Sequence, residues 1–198
     1  MSIDAITLTI TELTFLQGGY PFRGSIEESP SGDVLAVQMK DLDPEYGVNW
    51  SGVMRTTLVG RKQPDWLQGG DVLFVSKGAR FYAVCLNEPP MPAVCSPHFF
   101  HLKVKPHAAA IPAFIAWQIN QPPFQRQLQQ AAEGSSQLSI RRPVLEALTL
   151  NIPSLADQKR IVGLADLALQ ERNALRQLIR NREQQLNALA EDLFQVGA

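Results

Sequence analysis

From Pro153 to Phe194 the sequence carries the signature of one continuous helix of about forty residues, and no other feature restricts the fold as strongly. Ser154 supplies an N-cap, Asp157 stands at the third helical position from which it reaches back to that cap, and Pro153 cannot extend the helix backwards. Ile161, Leu164, Ala168, Leu175, Leu178, Ile179, Leu186, Leu189 and Leu193 then recur mainly at steps of three, four or seven, with no Gly or Pro between Leu164 and Val196. They form one apolar stripe.

At ~1.5 Å per residue such a helix reaches ~60 Å, about twice the ~26 Å diameter expected of a compact body of 100 residues. The expectation is a projecting arm whose apolar stripe needs a partner helix, from the same chain or another copy, because contiguous exposed apolar surface otherwise promotes aggregation. Eleven-residue spacings (Leu164, Leu175, Leu186; Leu167, Leu178, Leu189) fit the stripe better than strict heptads, and Glu171 and Arg182 interrupt it. That pattern predicts a nearly straight helix pair in place of a tightly supercoiled parallel zipper. The plainer alternative is an amphipathic helix lying across its own domain.

With 198 residues, 45% of them hydrophobic and 19% charged, the chain is read as one globular domain with an appendage or as two small domains. No apolar run reaches membrane-spanning length and the N-terminus lacks a secretory pattern, so the expected location is the cytoplasm, with no membrane partner. Cys85 and Cys95 are the only cysteines, too few for a disulfide framework. The formal net charge is −1, but it is unevenly spread: residues 1–66 carry −4, residues 67–152 carry +3 and residues 153–198 are balanced. The basic excess sits in the middle.

Residues 5–17 are β-branched and alternating, which predicts a strand ending at Gly18-Gly19. An irregular loop with Tyr20, Phe22 and Arg23 follows, then an acidic loop, a strand over Val34 to Met39, a turn-rich run from Asp41 to Gly47, and a strand over Met54 to Val59. Leu67-Gln68-Gly69-Gly70-Asp71-Val72-Leu73-Phe74 opens a hairpin whose return strand is Arg80 to Cys85, with Lys77 and Arg80 at or near the tip. Phe99 to Lys105 alternates as a strand. Pro112 is placed to begin a helix, Pro122-Pro123 breaks it, and a second helix resumes over Phe124 to Ala132. Short elements lead to Leu148 to Ile152. Strands at spacings of about ten residues with turns between them favour an α+β fold: a β-rich domain with small helices over 1–152, then one long helix over 153–198.

Several short motifs follow one another along the chain: Gly19-Tyr20-Pro21-Phe22-Arg23; Val37-Gln38-Met39-Lys40-Asp41-Leu42; Leu67 to Phe74 with Lys77-Gly78; Trp117-Gln118-Ile119-Asn120; Gly134-Ser135; and Leu150-Asn151-Ile152-Pro153-Ser154-Leu155 with Gln158, Ile161 and Val162. In this order they resemble the half-repeat of a specificity subunit of type I restriction-modification systems, one target-recognition domain followed by one coiled-coil helix. A full subunit of that family has two such halves; this chain has one. Family proteins usually carry a glutamate where Asp157 precedes Gln158.

The resemblance implies a chain that catalyses nothing and directs partner subunits to a DNA target. Duplex DNA, a methyltransferase subunit and a restriction or translocase subunit are the implied partners; S-adenosylmethionine would belong to the methyltransferase, with no cofactor or metal in this chain. Residues 1–152 would be the target-recognition domain, with Lys77, Arg80, Arg55, Lys62 and Arg141 as candidate DNA contacts and loop residue Tyr20 as a contact for DNA or the dimer mate. Residues 153–198 would serve dimerisation and partner-subunit binding through Ile161, Leu164, Ala168, Leu175, Leu178, Leu186, Leu189 and Leu193. A two-fold homodimer would read a two-part inverted target, with the half-site separation set by the helices.

Two other readings compete. One is a coiled-coil assembly or scaffold protein without base-specific reading. The other is a small zinc-binding domain using Cys95, His98 and His101, whose short spacing resembles a ligand set although the two histidines would face opposite sides of a strand. No nucleophile elbow, P-loop, zincin or dinucleotide-binding motif is present, which leaves catalysis without a sequence basis.

Overall fold

Thr9 and Glu12 interrupt the stretch that alternation alone predicts as one strand. In the computed structural model, which describes residues 4–59, 63–134 and 138–195, strand β1 (Ala5–Thr9) passes into a single helical turn, α1 (Ile10–Leu13), and then strand β2 (Thr14–Gly18). The cause is a capping box: Glu12 N donates to Thr9 Oγ1 at 3.2 Å, and the Glu12 carboxylate accepts from Thr9 N at 2.7 Å. The turn buries Ile10 and Leu13 completely. The expected single strand over 5–17 is therefore two strands belonging to different sheets.

β1 pairs antiparallel with β11 (Thr149–Pro153) as a two-stranded ribbon. β2 joins an antiparallel sheet in the order β2-β10-β7-β8, where β7 is Val72–Val75, β8 is Ala83–Cys85 and β10 is Phe99–Val104. A second sheet has the order β6-β3-β9, with β3 (Val34–Val37) antiparallel to β6 (Met54–Thr56) and parallel to β9 (Ala93–Cys95). A short ribbon of β4 (Leu42–Asp43) and β5 (Gly47–Val48) completes the strands. Leu73, Val75, Val84 and Phe99 from the first sheet and Leu35, Val37, Ala93 and Cys95 from the second share one buried cluster. Helix α2 (Pro112–Ile119) lies against β7 and β8, and buries Phe114, Ile115 and Ile119. β10 is thus covered on both faces, with Phe99, His101 and Leu102 all buried, where simple alternation predicts one apolar face.

Two sheets can approach this closely at Gly19 because it has no side chain. A Cβ there would stand 1.9 Å from the Ser96 carbonyl oxygen, and the next residue, Tyr20, donates its N–H to Cys95 O at 2.7 Å.

Helices α2, α3 (Pro122–Ala131) and α4 (Arg142–Ala147) each have proline in the first turn, where its fixed φ suits the helix and its missing N–H costs nothing. Their attachment depends on amide side chains that imitate a peptide unit. Asn120 Oδ1 accepts from Ala83 N and its Nδ2 donates to Ala83 O, both at 2.8 Å, which extends β8 sideways into the end of α2. Gln118 makes the same pair of bonds with Asn151 N and O at 2.9 Å. Gln158, fully buried, accepts from Ile111 N and donates to Ala109 O and Pro153 O, all at 2.8 Å.

The long helix α5 spans Leu155–Gln195. Its start is as expected: Asp157 N donates to Ser154 Oγ, and Ser154 Oγ donates to the Asp157 carboxylate at 2.7 Å. The chain divides into two compact units, Met1–Arg160 and Ile161–Ala198, so the first turn of α5 with Gln158 belongs to the first. In the second unit, Leu164, Leu167, Leu175, Leu178, Leu186, Leu189 and Leu193 are exposed, from 53% at Leu175 to 77% at Leu193. Ile161 is half-buried and Ala168 exposed. No helix among the described residues is long and apolar enough to cross a membrane.

Gln158→Leu keeps the volume but leaves one N–H and two carbonyl groups without their partner, and is expected to cost about 2–3 kcal/mol. Gln118→Leu, whose bonds lie at the surface, should cost under about 1 kcal/mol. Urea unfolding followed by circular dichroism distinguishes the two through the transition midpoint.

Candidate nucleic-acid interface

The β7–β8 hairpin ends in a loop over residues 76–82, fixed from inside. Ser76 donates through both N and Oγ to His98 O at 2.9 and 2.8 Å, Val75 N donates to Tyr82 O, and Phe81 stacks on Phe74 at 6.5 Å. Gly78, at φ 125°, makes the turn. Lys77 and Arg80 are exposed on this loop.

A distant segment runs alongside the tip. Gly78 N donates to Leu138 O, Ile140 N donates to Ser76 O, and Lys77 bridges Ser139. Two residues further on, Arg141 is paired with Glu133 at 2.5 Å, and Arg142 with Glu146 at 2.8 Å. Both pairs are solvent-exposed, so each contributes at most about 1 kcal/mol and its guanidinium can exchange a carboxylate for a phosphate. Lys77, Arg80 and Arg141 are therefore carried on two segments joined through the main chain.

Arg55 is exposed on β6, the edge of the other sheet, opposite Leu35. Lys62 falls outside the described residues. Tyr20 is a correction: it is only 6% exposed, its ring meets Phe22 edge-on at 4.9 Å, and it packs with Val34 and Val94, so it is a core residue and not a loop contact. The segment is irregular, as the neighbouring glycines and proline imply, but the close approach at Gly19 draws the next residue inward.

One neighbouring feature escaped the sequence. Tyr82 Oη donates to Leu42 O at 3.2 Å, which ties the hairpin loop to the segment 39–50, and Lys40, Asp41, Asp43, Tyr46 and Asn49 line a recess there of about 420 Å³. Burial pushes the Tyr82 hydroxyl up, Asp43 adds to this, and the Arg80 cation opposes it. Burial likewise raises Asp41, against the Gln38 N–H and Lys40, which favour its charged form. Asp41 accepts from Gln38 N at 2.8 Å as Asp71 accepts from Gln68 N at 2.9 Å, so the same Gln-x-x-Asp turn is used twice. That repeated tetrad was the available signal.

Two of the three candidate zinc ligands, His101 and Cys95, have other employment. His101 is buried with Nε2 2.7 Å from the Asp71 carboxylate, and Cys95 is buried on β9 opposite Val37. Among the described residues no three His, Cys, Asp or Glu side chains gather as a metal-binding group. Cys85 is pushed up to about 11, by burial first and then by the Asp71 carboxylate.

The sequence matches no protein-family model, and it matches no curated protein. Solved structures do match. A chain described for the complex assembly and conformational transition of the type I R-M system aligns over 96% of this chain and 44% of its own, with TM-score 0.70 and 16% identity. The type I restriction-modification S subunit from M. genitalium aligns over 92% of this chain and 44% of its own, with TM-score 0.59 and 16% identity. The fold is that of type I S subunits. The HsdS subunit from Thermoanaerobacter tengcongensis adds a third likeness, over 88% of this chain and 39% of its own, at TM-score 0.59 and 13% identity. Nearly all of this chain is thus accounted for by S-subunit architecture, and it spans less than half the length of each of these neighbours. The α+β class, with strands followed by a long terminal helix, agrees with the expectation from sequence.

In a Cys95→Ala background, the Cys85 thiol should react slowly with iodoacetamide at pH 8 and about tenfold faster per pH unit until about pH 11. The sign for stability follows: a thiol raised on folding favours the folded state below its ordinary value of 9, and that contribution is lost as pH rises through about 11.

Proposed function

We propose that this chain is a DNA-recognition specificity subunit of a type I restriction-modification system. The reading is carried by one observation, the S-subunit fold over 92% of the chain. Residues 1–152 act as the target-recognition domain, and the Lys77, Arg80 and Arg141 group supplies phosphate contacts, with Arg55 and Lys62 as further candidate cations. Phosphate contacts give affinity and salt dependence, while base-edge contacts from neighbouring polar side chains give sequence preference. The chain performs no chemistry itself. It positions a methyltransferase subunit, which brings S-adenosylmethionine, and a restriction or translocase subunit, in the cytoplasm.

Two copies joined through residues 161–194 would carry two recognition domains related by a two-fold axis. Such a homodimer reads an inverted target of two parts with an unread spacer, since protein and site share the symmetry. The exposed leucines of α5 favour this over a monomer.

The test is selection of duplexes from a random pool, using the purified chain alone and with a methyltransferase subunit. Enrichment of a two-part inverted motif is expected. Salt-sensitive binding without enrichment would instead identify an assembly protein that does not read bases. On the selected site, Lys77→Ala, Arg80→Ala and Arg141→Ala combined should flatten the plot of log affinity against log salt by about 2–3 units, with sequence preference retained.

A further inference from the structure

The apolar stripe of α5 is interrupted twice near its centre, by opposite charges. At ~100° per residue, Leu164, Ala168, Leu175, Leu178, Leu186 and Leu189 fall within a stripe ~80° wide, and Glu171 and Arg182 lie inside it. All eight are exposed, and Arg182 Nη1 makes only a surface bond to Gln185 Oε1 at 3.1 Å. Whatever covers the leucines also covers the two charges. A buried charge is tolerated only opposite its counterpart, so Glu171 and Arg182 restrict the occupant.

In a parallel pair of copies each residue meets itself, which opposes two carboxylates at Glu171 and two guanidiniums at Arg182. An antiparallel pair centred between Arg176 and Gln177 behaves differently. Glu171 then faces the partner's Arg182, and Arg182 faces the partner's Glu171. In the same register Leu164 faces the partner's Leu189, Leu167 the partner's Leu186, and Leu175 the partner's Leu178. Sliding one copy by about a turn sets Glu171 against Ile179 or Leu186 and Arg182 against Ala168 or Leu175, which buries both charges unpaired.

We infer that a second copy of this chain occupies this face, antiparallel, in the single register where Glu171 and Arg182 form two symmetry-related ion pairs between leucine layers. The inference rests on the homodimer reading and adds the register of its helix pair. The two ion pairs stand ~16 Å apart along the helices, and their role is selection among alignments, since uncharged residues there would let several leucine alignments compete.

Light scattering and sedimentation of the full chain test this. Glu171→Arg and Arg182→Glu should each weaken self-association about tenfold or more, because each creates two like-charge layers. The double variant carrying both should regain wild-type association, and an equimolar mixture of the single variants should form a heterodimer. Orientation is read by oxidative cross-linking: Leu164→Cys and Leu189→Cys should cross-link when mixed and not separately. A dimer unaffected by the charge reversals, or one in which Leu164→Cys cross-links to itself, overturns the register while leaving the homodimer reading intact. A wild-type chain that stays monomeric at high concentration overturns both.

Discussion

Side-chain amides that stand in for a peptide group hold the first unit together at its joints. Asn120, Gln118 and Gln158 each satisfy both an N–H and a carbonyl on a neighbouring segment. The geometry requires an amide: a carboxylate lacks the donor and an alkyl chain lacks both. Where the bonds are buried, as at Gln158, the main-chain groups have no water to fall back on, and the alternative is a bare polar group in an apolar setting. The start of α5 is fixed in this way to the segment before α2, within the same unit.

The long helix was legible because its signals are local: a cap at Ser154, a proline before it and an apolar stripe read by spacing alone. The proline-started helices were legible for the same reason. The amide joints were not, since Gln118, Asn120 and Gln158 meet partners 33, 37 and 47 residues away. The parallel pairing of β3 with β9 is equally non-local. Thr9 and Glu12 show a different failure. Their capping box was present in the sequence, but the surrounding β-branched alternation outweighed it, and only the burial of Ile10 and Leu13 makes the helical turn worthwhile.

The candidate interface divides along the same line. The place of Lys77 and Arg80 on the hairpin loop follows from the turn residues around them. Their association with Arg141 depends on main-chain bonds between 76–78 and 138–140, which no side-chain pattern announces. Tyr20 was misplaced because loop-forming residues describe the path of the backbone and not the direction of a ring. The recess beside Lys40 has a mixed lining, one cation with Asp41 and Asp43, so no run of like charge marks it in the sequence.

The bonds that hold the hairpin loop to its neighbouring segment run from backbone to backbone, at Gly78 with Leu138 and at Ile140 with Ser76. Side chains at positions such as Lys77 and Ser139 therefore contribute nothing to that seam. Substitutions at Lys77 and Ser139 can therefore alter what the tip touches while that seam persists unchanged.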